Sequence, residues 1–143
     1  MARKSPGALR AQSRLAGRSG GKTSPIDGLS SRANAAIVRL QLRHPKIGSV
    51  ATALTSYRRA IWRSGRWLEL LGDCPCPSCD PVGQRGILEG AMRRLPPAAR
   101  RELRRVVDAL DEEFLRKTLP DPRAAELNAW DAQAWWRHRL RGR

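Results

Sequence analysis

Three cysteines fall within six residues, in the run Asp73-Cys74-Pro75-Cys76-Pro77-Ser78-Cys79-Asp80-Pro81. Cys76-Pro77-Ser78-Cys79 has the Cys-Pro-x-Cys form of a zinc knuckle. Two thiolates so spaced in a tight turn both reach a tetrahedral ion at about 2.3 Å, and the proline stiffens the turn. Cys74 brings a third sulfur. A zinc ion held here would tie the ends of the flanking elements together and stabilise a thin core. No second Cys-x-x-Cys supplies the fourth ligand. The histidines are His44 and His138. His138 lies on the expected apolar face of the last helix and could fold back, so the expected ligands are Cys74, Cys76, Cys79 and His138. Asp73 or Asp80 is the carboxylate alternative. Without metal, the same residues are free thiols or one disulfide with a thiol left over. Three cysteines so close make a poor disulfide framework.

A second constellation joins arginine to tryptophan. The chain has five Trp against one Tyr and one Phe. Trp62 stands among Arg58, Arg59, Arg63 and Arg66. Guanidinium groups pair bidentately with phosphate, and indole rings stack on unpaired bases. Both residue types are also enriched where proteins bind proteins. The run Trp135-Trp136-Arg137-His138-Arg139 repeats the pairing, but there Trp130 and one of Trp135 and Trp136 are expected to fill the core. A solvated, non-binding face is the competing reading for the arginines.

Charge points the same way. There are 28 basic and 13 acidic residues, a net +15. Mutational bias can favour Arg over Lys, but it does not make basic residues outnumber acidic ones. Ten basic residues and one acid lie before residue 47. Residues 1–28 combine Gly, Ser, Pro, Ala and basic side chains with little that could be buried, so a disordered basic arm is expected. Arg10, Arg14 and Arg18 in that arm would gain affinity for nucleic acid by releasing counterions, with no fixed structure needed.

Catalytic motifs are absent. Gly20-Gly21-Lys22-Thr23 ends like a phosphate-binding loop, but Ala16 stands where the first glycine belongs and Pro25 follows closely. No run of 18 apolar residues suggests a membrane span. The N-terminus lacks the apolar stretch of a secretory signal. A non-enzymatic cytoplasmic protein is expected.

The elements that must position these groups are helical. Val50, Leu54, Tyr57, Ile61, Leu68 and Leu71 line one face of a helix over 49–71. Residues 37–42 are too short for periodicity to separate strand from helix. A short helix carries Ile87, Leu88, Ala91, Met92 and Leu95 after the cysteine loop. Another runs from about Ala98 to Leu119. Asp121-Pro122 then resembles the capped start of a last helix bearing Leu127, Trp130, Ala134 and His138. The expectation is an all-α bundle of three or four helices over residues 29–143, with a Cys-rich loop at 73–81. Its expected partner is DNA or RNA. The alternative is a small adaptor that docks on a protein through its Trp/Arg surface.

Overall fold

In the computed structural model, the residues described are 24–63, 65, 68, 79–126 and 133–141. They form a mostly helical fold with a two-stranded sheet: α1 (Ser31–Arg43), α2 (Val50–Arg63), α3 (Pro81–Arg94), α4 (Pro97–Arg116), β1 (Thr118–Pro120) and β2 (Arg139–Arg141). The ambiguous segment 37–42 is therefore part of a helix.

Local chemistry sets the helix ends. The Ser30 hydroxyl accepts from the Ala33 N–H at 3.1 Å, capping α1. The Ser30 N–H and hydroxyl both donate to the Glu102 carboxylate of α4, at 2.7 and 2.9 Å. The packed region begins within the expected arm. Ile26 is buried, and its N–H donates to the Asn34 side chain at 2.8 Å. His44-Pro45 stops α1, because the residue before proline is driven out of helical geometry. Gly48 then has φ +80°, which a side chain would strain. The Gln41 side chain accepts from the Val50 N–H at 2.7 Å, fixing the start of α2 against α1.

The inner faces follow helical spacing. α2 buries Val50, Ala53, Leu54, Tyr57 and Ile61. α4 buries Ala99, Leu103, Val107, Leu110 and Phe114. α2 packs most extensively on α3, which contributes Leu88, Ala91 and Met92. Each fully buried large side chain here, such as Leu88, Leu103 or Phe114, adds about 1.5–3 kcal/mol of burial free energy.

The end of the chain departs from expectation. Residues 133–141 hold a 3-10 turn, Trp135–Arg137, followed by β2; they are not an extension of a helix begun at Asp121-Pro122. β2 runs antiparallel to β1, with Leu119 opposite Leu140. Tertiary bonds explain the change. The Asp121 carboxylate accepts from the Arg123 N–H in a local turn, while the Asp121 N–H donates to the His138 carbonyl. Arg139 donates from Nε to the Thr118 hydroxyl and from Nη2 to the Leu115 and Thr118 carbonyls, at 2.9, 3.1 and 2.8 Å. It thereby satisfies backbone acceptors left open where α4 stops. These bonds override a favourable local helix signal. The bundle is thus mainly, not wholly, α-helical.

Candidate functional site

The inner stripe of α2 leaves its last two turns free to present Arg58, Arg59, Trp62 and Arg63 to solvent, and all four are exposed. Arg58 and Trp62, and Arg59 and Arg63, are four apart, so they are neighbours on one helix surface. α2 contains no acidic residue. Among the described residues, Arg58, Arg59 and Arg63 enter no ion pair, whereas Arg93, Arg116 and Arg123 are each paired with a glutamate. Among the described residues, then, the patch is positive with no acid paired to it. Arg66, expected to extend it, lies outside the described residues, as do Arg10, Arg14 and Arg18.

Trp62 is 62% exposed, unusual for so large an apolar ring. Its protein side is fixed by Lys117, whose Nζ lies 5.9 Å from the ring centre. That ammonium is itself held by the Ile61 carbonyl at 2.6 Å and by Glu113 at 3.6 Å. Lys117 closes α4, so the end of one helix supports the aromatic of another.

The two tryptophans of the other Trp/Arg run are turned inward. Trp136 is buried at 4% exposure, and Trp135 is half-buried, packed edge-on against Phe114 with ring centres 6.0 Å apart. Arg139 is occupied by the backbone of α4 and β1.

The cysteine site is represented by one member. Cys74 and Cys76 lie outside the described residues; Cys79 is exposed just before α3. The Asp80 carboxylate accepts from the Val82 and Gly83 N–H groups, both at 3.0 Å, so both oxygens cap α3. His138 sits in the turn before β2, not on a helical face, and its Nε2 is buried without a hydrogen-bond partner among the described residues. No group of three potential metal ligands forms among the described residues.

Sequence reasoning missed the most ordered polar cluster. Arg85 on α3 is 4% exposed. Its Nε donates to both Asp111 oxygens of α4, at 2.9 and 3.0 Å, and its Nη1 to Glu89 at 3.0 Å. The Tyr57 hydroxyl of α2 donates to the same Asp111 at 2.9 Å. Trp136 covers the guanidinium from 4.4 Å. Burial opposes the charge on Arg85, but the bonds to Asp111 and Glu89 outweigh it and hold the guanidinium protonated more firmly than usual. Burial, and then the Asp111 charge, drives the Tyr57 hydroxyl far above its usual range. Burial also lifts the Asp111 carboxyl, despite Arg85. Glu89 is lowered: Arg85 and Arg93 overcome its burial. With its charges paired and covered, this cluster cross-links three helices and gives a substrate no access. The available signal was an Arg and an Asp falling on the apolar stripes of separate helices, near Leu88 and Leu110.

No protein family matches the chain, and no curated protein or solved structure does so either.

Proposed function

We propose that this protein binds nucleic acid without catalysing a reaction on it, using the Arg58–Arg59–Trp62–Arg63 face of α2 together with the basic N-terminal arm. The observation that carries this reading is three exposed guanidinium groups on a helix with no acid, around an exposed indole. Phosphate rewards such a field through counterion release. The net charge of +15 favours the same class of partner.

The test is binding of the full chain to DNA and RNA across a salt series. Affinity should fall steeply with salt. The Arg58→Ala/Arg59→Ala/Arg63→Ala variant should bind more weakly, with a shallower slope, by about 0.7–0.9 in log–log terms for each phosphate it no longer neutralises. Absence of binding at low salt would sink the reading.

A protein partner has one specific observation in its favour: Leu119 and Leu140, directly opposed on β1 and β2, are both exposed. Its signature would be a single co-purifying protein that resists nuclease.

The cysteine spacing further supports a structural zinc ion on Cys74, Cys76 and Cys79, with His138 as the fourth ligand suggested by sequence. The Nε2 of His138, buried with no hydrogen-bond partner among the described residues, suits that role. Purified protein should contain about one zinc per chain, lost in Cys76→Ser and reduced in His138→Ala. A zinc content unchanged by Cys76→Ser would remove the proposal.

A further inference from the structure

Resting on the nucleic-acid reading, we propose that the α2 face selects single-stranded nucleic acid, with the Trp62 ring stacking on an unpaired base while Arg58, Arg59 and Arg63 hold the neighbouring phosphates. The argument begins with what a duplex hides. Paired bases are stacked, so their faces are covered and only edges and phosphates are presented. Three arginines alone would suit either form, since phosphates are common to both. A flat ring beside them adds something only if a base face can reach it.

The structure presents such a ring. Trp62 is 62% exposed on the outer side of α2. It lies one helical turn beyond Arg58, and Arg63 stands in the same relation to Arg59, so the two pairs form adjoining rows on the exposed side of α2. The ring also has a defined support. The Lys117 ammonium lies 5.9 Å from its centre, held by the Ile61 carbonyl and Glu113. That cation–π contact is a long one, and most of the residue faces solvent. α2 itself is anchored inward by Tyr57 and Ile61, both fully buried, so the platform is carried on a packed helix. Rigid aromatic platforms flanked by cations are how unpaired strands are bound without reading their sequence. This matches a chain in which no base-reading motif is found.

The experiment uses the full chain and a labelled oligonucleotide of about 16 nucleotides, the upper end of the site sizes of compact single-strand modules. It is offered single-stranded and as its duplex. The single strand should bind more tightly. Trp62→Ala should weaken single-strand binding about tenfold and duplex binding by a clearly smaller factor, while Trp62→Phe keeps most of the affinity. Because Trp62 is exposed, these variants should fold, and circular dichroism checks that they do. Equal affinity for the two forms, or equal losses on both in Trp62→Ala, would overturn strand selectivity. If the Arg58/Arg59/Arg63 triple variant still lowers the salt slope in that case, the broader nucleic-acid reading survives. Failure of both forms to bind at low salt ends both proposals. Loss of a nuclease-resistant protein partner in Trp62→Ala, with strand binding intact, would assign the ring to protein docking and also overturn this one.

Discussion

Arg85 donates through Nε to both oxygens of Asp111, and the ring of Trp136, from the far end of the described chain, covers that guanidinium at 4.4 Å. The pair is buried, and Arg85 donates from Nη1 to Glu89 as well. Removing one partner of such a pair leaves an uncompensated charge indoors. Asp111→Ala should therefore destabilise the protein by about 3–5 kcal/mol. A double replacement, Arg85→Met with Asp111→Leu, should recover most of that loss, because apolar side chains of similar volume need no partner. Urea denaturation of the three proteins checks both statements. A double variant as unstable as Asp111→Ala would show that more than charge pairing is at stake.

Tyr57 contributes one bond to the same carboxylate. Tyr57→Phe keeps the ring packed near Phe114 and removes only the hydroxyl. A cost of about 1.5–3 kcal/mol is expected, the range for a hydrogen bond to a charged group. The same titration measures it.

The response to acid has a defined sign. Glu89 has a lowered pKa in the folded chain. Its contribution is therefore present above the unfolded carboxylate value, near 4.3, and is lost as pH falls through the lower folded value. Asp111 is raised and acts oppositely: protonation favours its buried state, so its contribution fades as pH rises through the folded value. Glu102 and Glu113, both partly exposed, are lowered by Ser30 and Arg116 respectively and reinforce Glu89 weakly. Thermal melts between pH 7 and pH 3 should show Tm falling on acidification, and Glu89→Gln should flatten that fall. Identical pH profiles would exclude Glu89 as a contributor.

The start of α3 offers a test of local chemistry. Asp80→Ala removes the side-chain cap and should cost about 1 kcal/mol. Gly83→Ala would ordinarily gain up to about 1 kcal/mol in a helix. Here a methyl at residue 83 would stand 2.7 Å from the Asp80 carboxylate oxygen. The gain should be cancelled, and it should reappear when Gly83→Ala is made in the Asp80→Ala background. Thermal denaturation of the two single variants and the double variant reads the coupling.

Much of the helical body was legible from spacing alone. The stripes Val50–Leu54–Tyr57–Ile61 and Leu103–Val107–Leu110–Phe114 face inward as their periodicity requires. The proline punctuation at Pro45 and at Pro96-Pro97 marks real helix ends. The exposed Arg58, Arg59, Trp62 and Arg63 stand where an amphipathic helix must place them. The region after Asp121 misled because its cap signal is local, whereas the competing bonds come from elsewhere: Arg139 to Thr118 and Leu115, and β2 to β1. The Arg85–Asp111 pair was hidden for a related reason. Periodicity assigns a residue to a face, but it does not say which charged side chain on another helix will meet it. His138 was expected on a helical face, but residues 133–141 form a turn and a strand, so the argument from that face falls, while a ring nitrogen without a hydrogen-bond partner among the described residues gives a different one.

The cover over Arg85 makes the end of the described chain part of the electrostatics of the core. Arg85 and Asp111 belong to α3 and α4, but the indole that shields their contact comes from residue 136. Truncation before residue 133 would leave both helices intact in sequence and let water reach the pair, which weakens the attraction between its charges.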